Sequence, residues 1–375
     1  MAQRVLVVFI DALGAAQLER FGESLSFLPH RRSLGGVLGY SSGALATVLT
    51  GASGSEHGRM CLFSARREGE PGLLAPLSWL GILPRLLHER AALRRRLARV
   101  LAWSAGLTGY VALHRVPPKA FAWLDLPERE DLFTARDIGG VPTFLSRARA
   151  AGLSVYASPW QLPEARRWEE THAALGKLQP DLAFVYAAEL DGVLHAEGND
   201  GPAARGVRSR LATNLERARE SMLRGGGELL TLLVGDHGMA DVHRTIDPRP
   251  LVEKLSARVF VDSTMLRFWG SDASLFRARL AVERARTPGR WLDSNALAER
   301  AAPTRGSPYG SAIFLLDEGC IFAPSFVGGK ARGMHGYDLP SLSAGAALAS
   351  DRPLPEACTA LRDLAPVVTR ALGLA

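Results

Sequence analysis

The chain is poor in cysteine, in lysine and in long apolar runs. Among 375 residues there are 3 Cys, namely Cys61, Cys320 and Cys358. They are odd in number, far apart and form no CxxC, which excludes a disulfide scaffold and reads as buried or incidental thiols in a reducing compartment. The uncharged, Leu-rich stretches 71–84 and 100–113 run 14 residues each and contain Gly and Ser. Both fall short of the ~18 residues that mark a bilayer span. Hydrophobic residues make up 47% and charged residues 22%, with 38 Gly and 22 Pro and no repeat or low-complexity tract, so disorder and collagen-like structure are excluded. The opening MAQRVLVVFIDALG has one Arg before six apolar residues and then an Asp. That is too short for an export signal and reads as a buried first strand, so a cytoplasmic location is expected.

Only four of the 45 basic residues are lysine, and the net charge is +7. Position matters more than total: residues 85–99 (RLLHERAALRRRLAR) hold six Arg and one Glu, and thus +5 of the +7. A nucleic-acid enzyme spreads its basic residues along a binding face, so no nucleic-acid polymer is expected as partner.

What the chain does have is a repeated grammar of apolar run, acidic residue and turn. RVLVVFIDALG (4–14), DLAFVYAAELDGVLH (181–195) and ELLTLLVGDHGM (228–239) are continuous rather than alternating, as parallel strands covered on both faces are. Helical stretches separate them, among them 203–223, which stops at Gly225–Gly227. The βα alternation predicts an α/β fold, a mostly parallel sheet sandwiched by helices, with ligands beyond the carboxyl ends of the strands. Two regions break the pattern. Residues 62–133 read as an inserted helical segment and 244–330 as a small subdomain near the active site, on a single catalytic domain of 1–375. The closing TALRDLAPVVTRALGLA has helical periodicity and is expected to pack back on the sheet.

Chemistry-bearing residues fall at those strand ends and turns. Asp11 closes the first strand, Asp191 and His195 are spaced i, i+4 on a helical turn, Asp236 and His237 end the third run, and His335 lies in GMHGYD. Three Asp and three His form an N/O donor set suited to Zn²⁺ or Mn²⁺. Each alone has a plainer reading as helix cap, turn residue or hydrogen-bonded pair; the set at strand ends of one α/β chain points to metal. In GYSSGALATVLTG (39–51) Ser41 and Ser42 open a helix-like run, where a serine is either a simple cap or a nucleophile activated by metal and helix dipole.

The order FIDALG, Ser41 with Thr50-Gly51 and His57-Gly58, ELDGVLH, GDHGM and GMHGYD resembles the alkaline phosphatase superfamily, and within it the type I phosphodiesterase/nucleotide pyrophosphatase branch. The resemblance runs from residue 4 to the closing helix and is weak only across 62–133. It implies an alkaline-phosphatase-like fold and two divalent metal ions, usually Zn²⁺, with Mn²⁺ as the alternative. Asp191, His195 and His335 would hold one ion, and Asp11, Asp236 and His237 the other. Ser41, ten residues before Gly51, would be the nucleophile bridging to the second ion and forming a phospho-serine intermediate. The implied activity is hydrolysis of a small phosphodiester or pyrophosphate; the alternatives are a phosphomonoesterase or phosphomutase of the same superfamily, or an inactive binding relative. Two departures stand out. Ala44 occupies the position where the branch carries an oxyanion-steadying Asn, and Gly43 and Leu45 replace the Pro and Arg of a sulfatase core, which argues against a sulfatase. The Arg-dense, Trp-bearing stretch 73–113 is expected either as a solvated helix over the site mouth or as a peripheral membrane contact, and Trp79, Trp103 and Trp123 as core or as a wall for the leaving group. Oligomeric state is open at this level.

Overall fold

The three continuous apolar runs form adjacent strands at the centre of one sheet. The computed structural model of the chain describes residues 3–67, 69–70, 72–84, 89–252, 255, 257–304, 308–341 and 343–374. The sheet has six strands: β1 (Arg4–Ile10), β2 (His30–Leu34), β3 (Val155–Ala157), β4 (Leu182–Ala187), β5 (Leu229–Gly235) and β6 (Ala346–Ser350). Their order is β2-β6-β5-β1-β4-β3. β1 runs parallel to β5 and β4, β4 parallel to β3, and β6 antiparallel to β5 and β2. All of β5 and all but the first residue of β1 are buried, which is why these strands read as unbroken apolar runs.

The register sets up the site. Ile10 lies opposite Ala187 on one side and Gly235 on the other, so three parallel strands end in one row. The residues that follow them therefore converge.

The helices bearing on the site are α1 (Ser41–Thr50), α2 (Glu164–Leu178), α3 (Glu189–Glu197), α4 (Pro202–Leu223) and α5 (Leu364–Ala371). On one face of the sheet Leu6, Val8, Ile10, Ala183, Val185 and Leu233 share a core with Trp168 and Leu175 of α2 and with the α4 stripe Val207, Leu211, Leu215, Ala218 and Met222. That stripe recurs every three to four residues, as an amphipathic helix requires. On the other face Phe184 packs its ring 5.0 Å from Phe133 and 5.9 Å from Phe144. The closing helix α5 packs back as expected, with Gln3 N donating to Ala371 O at 3.1 Å.

By its contacts the chain divides into two compact units. The first comprises Met1–Gly58, Phe133–Asp241 and Ala331–Ala375 and contains the sheet just described; the second comprises Arg59–Leu132 and Val242–Lys330. The stretches read from sequence as an insertion and a separate subdomain thus build one unit together. Its four-stranded antiparallel sheet, ordered 258–261, 265–269, 312–316, 289–292, is joined to the earlier stretch through a shared core. Phe63 lies 5.4 Å from Phe260, and Trp123 lies 5.1 Å from Trp269. Buried Arg267 pairs with Asp262 and donates to Phe63 O at 2.8 Å, which locks the two stretches by a satisfied buried charge. Of the basic segment 85–99, residues 85–88 lie outside the described residues; the helix runs Ala91–Ser104. Among the described residues no helix is long and apolar enough to cross a membrane.

Candidate active site

Every site residue expected from sequence lies in the first unit, and the aligned strand ends bring them together. Asp11 follows β1 directly, its N–H donating to Ala187 O at 2.8 Å. Asp236 follows β5 and accepts from Ala12 N at 3.1 Å through Oδ1. That bond helps hold Ala12 at φ 65°, a left-handed conformation that a residue with a Cβ seldom adopts unaided. The two strand exits run so close that a Cβ on Gly235 would lie 2.0 Å from Leu13 O.

Asp191 and His195 sit one turn apart on α3, with Nε2 and Oδ1 3.2 Å apart. The start of α3 is tied by Glu164, whose Oε2 accepts from Ala188 N and Glu189 N at 2.7 Å each, taking up amides that a helix start leaves without partners. His335 follows the two-residue strand Gly333–Met334, and its ring stacks on His237 with centroids 3.6 Å apart and planes 6° from parallel. Its Nε2 lies 3.8 Å from Asp191 Oδ1. Ser41 is the first residue of α1, after extended Tyr40. Its hydroxyl donates to Asp11 Oδ1 at 3.3 Å and lies 3.1 Å from His237 Nε2. The Ser42 hydroxyl is buried without a hydrogen-bond partner, so the two serines left open by spacing are separated by geometry. Ala44, one turn on, is buried and offers no donor.

Donor atoms of Asp11, Asp236 and His237 lie within 4.8 Å of one another, as do those of Asp191, His237 and His335. His237 thus belongs to both groups, whereas sequence reasoning placed it in one; His195 stands beside Asp191 at the edge of the second. The tautomers follow from the partners. His195 Nδ1 faces Gly333 O and His237 Nδ1 faces Gly238 O, each at 2.8 Å, so each Nδ1 is an N–H donor and each Nε2 is the atom turned to the carboxylates, protonated without a cation and free to ligate one. Asp191 Oδ1, Asp236 Oδ2 and His335 Nδ1 are buried without a hydrogen-bond partner. Buried carboxylate oxygens left without a hydrogen bond beside imidazole nitrogens are what a cation satisfies, so these residues fit divalent metal ions.

Without a cation the site gathers protons. Burial, opposed by the His237 charge and aided by that of Asp11, pushes Asp236 up to about 7. Burial works against charge on His237, but Asp236 and Asp11 outweigh it and push the imidazole up to about 10. For Asp11 burial is again the largest influence and acts upward; hydrogen bonds from His237, Tyr186 and Ser41 together bring it below the ordinary range. His335 is held well below its usual value by burial and by His237 and His195, and is neutral, the form that binds metal.

Two residues were missed from sequence. Tyr186 OH donates to Asp11 Oδ2 at 2.8 Å from within β4, where a tyrosine in an apolar run reads as core. Glu164 lies 27 residues before Asp191, and no local spacing links it to α3.

An α/β sheet whose parallel strand ends gather carboxylates and imidazoles beside a helix-terminal serine is the architecture of the alkaline phosphatase superfamily. Within it the chain belongs to the type I phosphodiesterase/nucleotide pyrophosphatase family, a family of phosphodiesterase- and pyrophosphatase-type hydrolases, whose model matches residues 79–301. That span holds Asp191, His195, Asp236 and His237. Among solved structures, murine ectonucleotide pyrophosphatase/phosphodiesterase 5 is similar at TM-score 0.70 and 15% identity, over 100% of this chain and 96% of that one. An inactive variant of the murine protein in complex with AMP matches at TM-score 0.69 and 14% identity, with the same coverage. The human counterpart matches at TM-score 0.67 and 14% identity, over 100% and 96%. At these identities the likeness is one of fold. No curated protein matches the chain in sequence.

Proposed function

We propose that this protein hydrolyses phosphodiester or pyrophosphate bonds of small phosphorylated substrates through a phospho-serine intermediate on Ser41. The observation that carries this reading is the Ser41 hydroxyl, set at a helix N-terminus 3.3 Å from Asp11 Oδ1 and 3.1 Å from His237 Nε2. Asp191, His195 and His335 would hold one divalent ion and Asp11, Asp236 and His237 the other, with Ser41 beside the second and His237 between the two. Such a pair supplies positive charge for the entering and leaving oxygens of an in-line displacement; Zn²⁺ suits the N/O donors best and Mn²⁺ is the alternative.

The chain's own residues do the rest. Ser41 Oγ attacks phosphorus, the P–O bond to the leaving group breaks, and the hydroxyl proton faces Asp11 Oδ1. Tyr186 steadies the other oxygen of that carboxylate. Amides of Ser41 and Ser42, in the first turn of α1 where a helix leaves its N–H groups without partners, would steady developing phosphoryl charge, the task a side chain at Ala44 does not perform. Water then cleaves the Ser41–phosphate bond and restores the hydroxyl. The AMP found with the murine relative supports a nucleotide-type ligand.

The test compares wild type and Ser41→Ala on a p-nitrophenyl phosphodiester and the matching monoester, after chelation and again with zinc restored. Faster cleavage of the diester, dependence on zinc and a loss of at least ~10³-fold in Ser41→Ala are expected. Preference for the monoester would move the assignment to a phosphatase, and turnover undiminished in Ser41→Ala would remove the nucleophile.

A further inference from the structure

The helix Ala91–Ser104 carries three of its four arginines and its indole on the same outward face. Its inward side holds Arg94, Leu97, Ala98 and Leu101. Arg94, 4% exposed, donates to Leu113 O at 3.3 Å and Val116 O at 2.7 Å, which explains how one of three consecutive arginines turns inward. At 100° per residue, Arg95, Arg96, Arg99, Val100 and Trp103 share an arc of about 140° on the opposite side. Trp103 is 84% exposed and Val100 59%. The helix bears no acidic residue, and Arg95, Arg96 and Arg99 have no ion-pair partner among the described residues. On the turn Ala75–Ile82, whose Leu77 and Leu80 share the core cluster with Leu97 and Leu101, Ile82 is 86% and Trp79 48% exposed.

A solvated basic helix needs no bare indole, and a large exposed aromatic beside aliphatics is uncommon unless something covers it. The occupant has to accept cations and apolar groups side by side. Nucleic acid would stack on the indole but leaves Val100 and Ile82 in water. A second copy meeting face to face would set arginine against arginine. We propose that this face docks on an anionic lipid surface, with Arg95, Arg96 and Arg99 among the headgroups and Trp103 and Val100 at the acyl boundary. None of these residues belongs to the candidate active site, so the docking stands apart from the hydrolytic reading.

The full chain is tested by flotation with phosphatidylcholine vesicles, with and without phosphatidylserine, at low and high salt. Binding is expected only with phosphatidylserine, with release at high salt. Replacing Arg95, Arg96 and Arg99 together by Gln lowers the partition coefficient about 100-fold, at about fivefold per arginine. Trp103→Ala lowers it several-fold, Trp103→Phe restores most of it, and brominated lipid quenches an indole in wild type that it does not find in Trp103→Phe. Far-UV circular dichroism of each variant separates lost docking from lost fold. Equal binding to neutral vesicles, no binding at all, or binding indifferent to these substitutions overturns the proposal. So does single-stranded RNA held more tightly through the same arginines, or a dimer that Trp103→Ala dissolves.

Discussion

Adjacent serines on one helical turn differ entirely in what their hydroxyls meet. Ser41 reaches Asp11 and His237, while Ser42 Oγ is buried without a partner. In the ester assay Ser42→Ala is therefore expected to stay within ~10-fold of wild type, because no transition-state contact of its side chain is lost. Tyr186→Phe removes one hydrogen bond from Asp11 and nothing else from the core; a ~10–100-fold loss of zinc affinity by calorimetric titration is expected, with unchanged circular dichroism. Unaltered affinity would make Tyr186 a packing residue. In the second unit, burial pushes Glu128 up to about 7, against the pull of Arg59. Its folded value exceeds the unfolded one, so the folded state holds the proton more tightly. Stability is then undiminished below about 4.5, falls as pH rises toward about 7, and stays low above it. Glu128→Gln should flatten that fall and stabilise the protein by at least ~1 kcal/mol at pH 8 in denaturant titrations, with little change at pH 4. Asp11, Asp236 and His237 were legible because they directly follow runs that burial keeps apolar, Asp191 and His195 because their i, i+4 spacing comes just after another such run, and His335 because glycines flank it. Tyr186 was not, because nothing local separates a phenol turned to a carboxylate from one packed in the core.

At the scale of elements, strands were legible where a buried run is built of large apolar side chains and faint where it is exposed or built of alanine and serine. β1, β4 and β5 announce themselves as apolar runs, and their register alone aligns Asp11, Asp236 and the start of α3. β2, reading HRRSL at the sheet edge, and β6, reading AALAS, carry little signal, since pairing with distant strands rather than local pattern defines them. The closeness of the strand exits yields a sharp contrast between two glycines. Gly235→Ala would drive a methyl to 2.0 Å from Leu13 O, and a loss of ~3 kcal/mol or more in urea unfolding is expected. Gly176→Ala on α2 meets nothing within 4 Å and should gain ~0.5–1 kcal/mol. Equal outcomes for the two would mean that the exits can separate without cost.

At the scale of the whole molecule, the site belongs to one unit only. Zinc at a thousandfold excess over its dissociation constant is expected to slow hydrogen exchange in β1 and β5 by the equivalent of ~4 kcal/mol, while amides of Met265–Trp269 keep their rates. Slowing in both would show that the ion stabilises more than the unit that holds it. The two-unit division was hidden in the sequence for a physical reason. The ring contacts of Phe63 with Phe260 and of Trp123 with Trp269 join residues more than 140 positions apart, and such pairings leave no period to read. The same discontinuity bears on how the protein is made. Asp11 and Ser41 come from the first segment of the unit, Asp191 through His237 from the second, and His335 from the third. β6, which lies between β2 and β5, is translated only once residue 350 is reached. A ribosome therefore finishes both segments of the second unit by residue 330 while the first still shows an open edge on β5, and the candidate site stays incomplete until His335 and β6 have been made.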